Sequence, residues 1–278
     1  MYDLGGRLDP SEISYRCAPI AGHRERIVSL SRGWHRLSAS SRTRTPCQDD
    51  GMTNPVITSV KRRLLPKGQV PRTLPLGIGR GLRLDIDFTH QTRLYLGLYE
   101  TELNAHLRRL CRPGLSTFDI GGQSGYDALV MAKLTGSRVV SIDCDPAAIE
   151  QMTRNFAANA QLAPKLVARQ ALIAARTDTV VGALTLDDLA EETFVPDMMK
   201  IDIEGAEVDA LEGGRRILEE HRPGLIIEVH GVPQEESCVQ LLGAFGYQPV
   251  VVNQRRLFAD YRPISHNRWL VADPPALN

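Results

Sequence analysis

Phe118-Asp119-Ile120-Gly121-Gly122-Gln123-Ser124-Gly125-Tyr126 is the stretch on which the fold turns. Residues 116–120 read as a short apolar strand closing on an acid, and residues 126–134 as a helix. The glycines between them make a tight strand-to-helix turn, and Gly121 leaves room for a ligand to approach the backbone. In an open parallel sheet such a turn lies beyond the carboxyl end of a strand, where ligands bind at the reversal of strand order. The spacing Asp-x-Gly-x-x-x-Gly differs from the GxGxxG of dinucleotide sites, whose helix N-terminus faces a pyrophosphate. An acid ahead of the glycines opposes a pyrophosphate and suits a positively charged group.

The next strand, residues 138–143, ends in a second acid, Asp143, 18 residues beyond Gly125. A carboxylate there can accept hydrogen bonds from both hydroxyls of a ribose. Asp145, followed by Pro146, is already placed to cap the following helix. A ribose-bearing ligand with positive charge fits S-adenosylmethionine, whose ammonium and sulfonium are both cationic. The expected cofactor residues are Asp119, Gly121, Gly122, Gln123, Gly125, Asp143 and Asp202. Gln170 or Ala171, at the end of the third strand, is placed beside the adenine, with a plain core position as the alternative.

Outward from this centre, strands and helices alternate. Residues 146–160 read as a helix and 164–172 as a strand. Residues 197–202 (strand), 207–220 (helix), 224–230 (strand) and 235–246 (helix) continue the series. Residues 247–253 and 268–274 close it as an antiparallel pair. Apolar strands joined by crossover helices specify an α/β fold, Rossmann-like and doubly wound, its seven-stranded sheet parallel apart from a C-terminal antiparallel strand. Upstream, residues 82–88 alternate as a short strand, and residues 101–110 place Leu103, His106, Leu107 and Leu110 on one helical face.

The first 51 residues carry no sustained helical or strand period and are expected to form a disordered leader. Residues 52–96 are expected to form an N-terminal extension with short strands, and 97–278 the S-adenosylmethionine-dependent domain. The 278-residue chain balances 33 basic against 33 acidic residues, yet residues 1–80 hold 14 Lys/Arg and 6 Asp/Glu. The remainder holds 19 and 27, an acidic body that argues against a broad nucleic-acid face, so no nucleic-acid partner is expected. No apolar run reaches the roughly 18 residues that span a bilayer, and no secretory signal opens the chain, so the cytoplasm is expected. Five scattered cysteines without a CxxC pair indicate reduced thiols. Nothing specifies an oligomeric state.

These residues resemble the FkbM family of methyltransferases. The likeness runs through Tyr95-Leu96-Gly97-Leu98-Tyr99-Glu100, the glycine turn, and Ser141-Ile142-Asp143-Cys144-Asp145-Pro146. It continues through Thr185-Leu186-Asp187-Asp188-Leu189, Met199 to Glu207 (MKIDIEGAE) and Leu211-Glu212-Gly213-Gly214, spanning about residues 82–255. Gly122-Gln123 stands where the family usually has Ala-Asn, and Asp143-Cys144 where it commonly has Glu-Pro. The resemblance implies O-methylation of a hydroxyl on a small metabolite, sugar or glycolipid.

Methyl transfer to a hydroxyl requires alignment of the acceptor and removal of its proton. The groups at the ends of the fourth and fifth strands are Lys200, Asp202, Glu204, Glu228 and His230. Alternation puts Lys200 and Asp202 on one face of the sheet. Asp202, His230 and Glu228 are the expected catalytic residues, Asp202 first, and His230 qualifies through an ordinary pKa near neutrality. Glu204 is expected to shape a turn. Asp202 and Glu228 could pair on Mg²⁺, but no third ligand is evident and no metal is expected. Asp187 and Asp188 read as a loop feature. The alternative is a cofactor- or partner-binding module without turnover. An RNA or protein methyltransferase is a third reading, weakened by the acidic body. The acceptor is expected to meet the region before Gly97 and the loops at 172–184 and 253–268.

Overall fold

The computed structural model describes residues 68–254 and 267–275. The leader, the beginning of the extension and most of the 253–268 loop lie outside the described residues. The elements are β1 (Gln69–Thr73), β2 (Arg83–Asp87), α1 (Thr92–Tyr95), α2 (Asn104–Leu110), β3 (Thr117–Ile120), α3 (Tyr126–Thr135), β4 (Val139–Asp143) and α4 (Pro146–Ala157). They continue with β5 (Leu166–Gln170), β6 (Leu172–Ile173), β7 (Ala183–Leu184), α5 (Leu186–Glu192), β8 (Met198–Ile201) and α6 (Glu207–Glu212). The last are β9 (Gly224–His230), α7 (Val232–Ala244), β10 (Val250–Val252) and β11 (Asn267–Ala272).

Seven strands form one sheet in the order β5-β4-β3-β8-β9-β11-β10. The pairs from β5 through to β9 are parallel, and β11 runs antiparallel to both β9 and β10. This is the doubly wound, Rossmann-like sheet of the methyltransferase fold. The chain winds from β3 outward through β4 and β5, then returns to β8 on the other side of β3. The reversal therefore opens a crevice at the carboxyl ends of β3 and β8. β1 and β2 form a separate antiparallel hairpin, and β6 and β7 a short parallel pair.

Side-chain alternation sorts the strands into two layers. Phe118, Ile120, Val140, Ile142, Met199 and Ile201 face one way, into a cluster with α5, α6 and α7. The other face packs on α2, α3 and α4, with Val139, Met198 and Ile226 in its apolar part. Leu74, Leu84 and Ile86 of the hairpin region share that second cluster with Leu129 of α3 and Phe156 of α4. Toward the carboxyl ends this same face changes character. Thr117 and Val139 are succeeded by Asp119 and Ser141, Met198 by Lys200, and Ile226 by Glu228. A sheet that is apolar at one end and ionisable at the other concentrates charge where the crevice opens.

Two expectations about elements change. Thr185-Leu186-Asp187-Asp188 is not a loop: Thr185 caps α5, its Oγ1 accepting from the Asp188 amide at 3.0 Å. Residues 207–220 are not one helix either. The chain breaks at Gly213-Gly214 and resumes as a π-helical segment, Ile217–His221. A Cβ on Gly213 would overlap the Ala174 carbonyl oxygen, so the glycine admits a backbone crossing that a longer residue would block.

Candidate active site

The glycine turn is pressed against the protein. Gly121 has φ +87°, and a Cβ there would overlap the Asp202 carbonyl oxygen. A Cβ on Gly122 would overlap the Ser141 hydroxyl. The positive φ makes the sharp turn expected of Gly121, and the end of β8 lies against it, its Asp202 amide donating to Ile120 O at 2.8 Å. The loop amides also turn inward. Gly121 and Gly122 both donate to Ile142 O, at 2.9 and 2.8 Å, and Gly125 to Gly122 O at 2.7 Å. The Gln123 amide donates to Asp143 Oδ2 at 2.9 Å.

Asp119 lies beneath this loop, 1% exposed, with Oδ2 accepting from the Ser141 hydroxyl at 2.9 Å. Burial raises its pKa to about 7; Asp127 and Asp202 push the same way, while Lys200 and the Ser141 bond oppose it. Asp143, at the end of β4, is half-buried. Besides Gln123 it accepts from the Asp145 amide, at 2.9 Å, and from the Cys144 amide, and burial raises its pKa against those hydrogen bonds. Asp145 caps α4 by accepting from the Ala147 amide at 2.9 Å. Gln170 pairs with Asp143 across β4–β5, is exposed, and donates to Cys144 O at 3.2 Å.

Beside the turn, the residues expected from β8 and β9 come together. Lys200, fully buried, meets Asp127 Oδ2 at 2.9 Å, Asp202 Oδ2 at 3.5 Å and Glu100 Oε2 at 3.7 Å. Desolvation works to lower its pKa, but Asp127, Glu100 and Asp202 outweigh it and hold the ammonium charged. His230 Nδ1 lies 2.7 Å from Glu207 Oε1. Its Nε2 faces Glu204 Oε2 at 3.7 Å, Asp202 Oδ1 at 3.8 Å and Glu228 Oε1 at 3.9 Å. Burial alone would lower the His230 pKa; the Glu207 hydrogen bond and the Asp202 and Glu228 carboxylates raise it to about 9. The ring is therefore cationic at neutral pH in this arrangement, which removes the ordinary-pKa ground for reading it as a general base. Glu228, also 1% exposed, accepts from Trp269 Nε1 at 3.2 Å.

Three members of the cluster went unassigned as site residues in the sequence reading. Glu100 is enclosed and left-handed, with φ +40°, and burial raises its pKa well above the ordinary value. Asp127 sits in the first turn of α3. Glu207, fully buried, also accepts from the Gly205 amide at 2.8 Å. Glu100 and Glu207 fall inside the stretches that carry the family resemblance, a signal that could have singled them out. Asp127 had only its place just after the glycine turn.

Residues 147–263 match the methyltransferase FkbM domain, the family whose motifs the sequence resembles. The matched segment starts within α4 and contains β8 and β9; the glycine turn precedes it. No curated protein matches the chain. Among solved structures, the methyltransferase FkbM from Methylobacillus flagellatus KT is 19% identical, with 68% of this chain and 56% of that one covered and a TM-score of 0.48. The precorrin-6y C5,15-methyltransferase from Geobacter metallireducens GS-15 is 14% identical, covering 63% and 87%, at 0.45. TYW2 from M. jannaschii, in complex with AdoMet, is 13% identical, covering 74% and 86%, at 0.47. The likenesses are of fold, and the strand order stands without them. No described helix is long and apolar enough to cross a membrane.

Proposed function

We propose that the crevice binds S-adenosylmethionine and that the protein transfers its methyl group to a hydroxyl of a small metabolite, sugar or glycolipid. Charge carries this reading. Glu100, Asp127, Asp202, Glu204, Glu207 and Glu228 surround only Lys200 and His230 within the connected cluster. A surplus of carboxylates at the switch point favours a cation and opposes a phosphate. The loop amides support it: Gly121, Gly122, Gln123 and Gly125 all donate into the protein, so they do not form the anion cradle a pyrophosphate needs.

The donor set fits the cofactor. Asp143 accepts from the Gln123, Asp145 and Cys144 amides and keeps a remaining lone pair for a ribose hydroxyl at the end of β4. Asp119, Gly121, Gly122, Gln123 and Gly125 form the floor and rim of the turn, and Gln170 the far side toward the adenine. When bound, S-adenosylmethionine supplies a methyl group on a sulfonium, which leaves as a neutral thioether. Asp202 accepts the proton as the acceptor's O–H bond breaks and its oxygen bonds to the methyl carbon. Lys200 and His230 flank the Asp202 carboxylate and hold it at the mouth of the turn.

Calorimetry with S-adenosylmethionine tests the binding. The wild type is expected to bind one equivalent. Asp143→Asn is expected to weaken binding about 10- to 100-fold, the worth of a charged hydrogen bond. Preference for NAD over S-adenosylmethionine would overturn the reading. Methylated product from a panel of hydroxylated acceptors, followed by mass spectrometry, separates an enzyme from a binding module without turnover.

A further inference from the structure

The His230 ring is held in a way that the reading above does not require. Glu207, fully buried, grips Nδ1 at 2.7 Å and is itself anchored by the Gly205 amide at 2.8 Å. A carboxylate bonded to one imidazole nitrogen fixes the ring and makes the other nitrogen the better donor, the arrangement that supports histidine ligands in metal sites. The other nitrogen, Nε2, is buried and has no hydrogen-bond partner. It points into the gap between Asp202 and Glu228, and one ligand atom from each of the three residues falls within 4.8 Å of the others. An imidazole nitrogen and two carboxylates converging on one point form half of an octahedral shell, leaving positions open for water or substrate oxygens.

We propose that Asp202, Glu228 and His230 bind one divalent cation, which displaces the Nε2 proton of His230 to solvent, with Glu207 as the positioning residue behind His230. Oxygen donors with a single imidazole suit Mn²⁺ better than the thiolate-seeking metals. Glu228 and His230 share β9, and the pairing of β8 with β9 brings both beside Asp202. Trp269 closes the far side of Glu228, its indole nitrogen donating to Oε2 at 3.2 Å and leaving Oε1 on the His230 side. Lys200 marks the opposite limit: it approaches Asp202 through Oδ2, whereas His230 faces Oδ1. One oxygen of Asp202 thus meets the fixed ammonium and the other borders the proposed cation.

The cation's role in the reaction rests on the methyltransferase reading; its binding does not. A metal at this point would take an acceptor hydroxyl as a ligand and make its proton easier to remove. Two hydroxyls on adjacent carbons could fill two of the open positions, so the site favours a vicinal diol or catechol over an isolated alcohol.

Titration of the metal-free protein with Mn²⁺, followed by electron paramagnetic resonance, is the test. One equivalent is expected to be taken up, and pulsed measurements are expected to show nitrogen hyperfine coupling from the single imidazole in the unmodified protein. Asp202→Asn and Glu228→Gln are each expected to weaken uptake at least tenfold, and Glu207→Gln about 10- to 100-fold through the lost brace. Circular dichroism on each variant establishes that it is folded, and the nitrogen coupling needs no variant. Absence of saturable uptake, or uptake without nitrogen coupling, overturns the proposal. Calorimetry with S-adenosylmethionine on the same metal-free protein keeps the two readings apart. Cofactor binding without Mn²⁺ uptake removes only the metal site, and Mn²⁺ uptake without cofactor binding removes only the methyltransferase reading.

Discussion

Lys200 stands in the most demanding position of any side chain in the crevice, an ammonium fully removed from water and facing Asp127, Glu100 and Asp202. Taking such a charge out of water costs several kcal/mol, and only close opposite charges offset that cost. Removing one partner is worse than never having had the pair, because the other charges are then left buried and uncompensated. Lys200→Met is therefore expected to destabilise the protein by about 3–5 kcal/mol, measured by urea denaturation. Adding Glu100→Gln should recover part of the loss, since Glu100 is the carboxylate with no hydrogen bond to either oxygen. Additive losses in the double variant would show that the two residues do not act on each other.

At the level of elements, Asp187 joins two helical pieces that are distant in sequence. It lies in the first turn of α5, and its carboxylate accepts from the Arg216 and Ile217 amides, both at 3.0 Å. Those amides open the π-helical segment after the Gly213-Gly214 break and have no partners within it, so Asp187 does the work of an N-cap from another element. Asp187→Ala is expected to cost about 1–2 kcal/mol in chemical denaturation. Asp187→Asn, which keeps a neutral acceptor, should cost less. Equal losses for the two would assign the effect to packing. The acid that reads as a loop residue in one dimension is thus a structural clamp in three.

For the molecule as a whole, the acidic crevice couples stability to pH. Asp119 titrates at about 7 when folded against 3.8 as an ordinary carboxyl, because burial disfavours its charged form. The folded protein therefore holds this proton where the unfolded chain has lost it. The resulting stability is fully present below about pH 4 and is lost as pH rises through about 7. The charges facing Asp119 are Asp127 and Asp202, which strengthen the effect, and Lys200, which opposes it. Thermal unfolding of wild type and Asp119→Asn, compared across this window, is expected to show wild-type stability falling relative to the variant as pH rises. A constant difference would mean the carboxyl is ionised throughout.

The order of strands and helices, the glycine turn and the cap at Asp145 were legible because each is written in neighbouring residues. Apolar alternation, a Gly where the backbone turns and an Asp before Pro146 are local signals. The clustering of Lys200, Asp202, Glu228 and His230 could be anticipated in outline, since all four end adjacent strands. What side-chain pattern alone left open depends on contacts between distant segments. Glu100 and Asp127 reach Lys200 across the fold, Asp187 caps a helix it does not precede, and Glu207 turns a histidine away from ordinary base chemistry. Even the reason for Gly121 is tertiary: β8 passes close enough that only hydrogen fits. Local patterning determines which elements form; burial and charge in the assembled crevice decide what their ends can do.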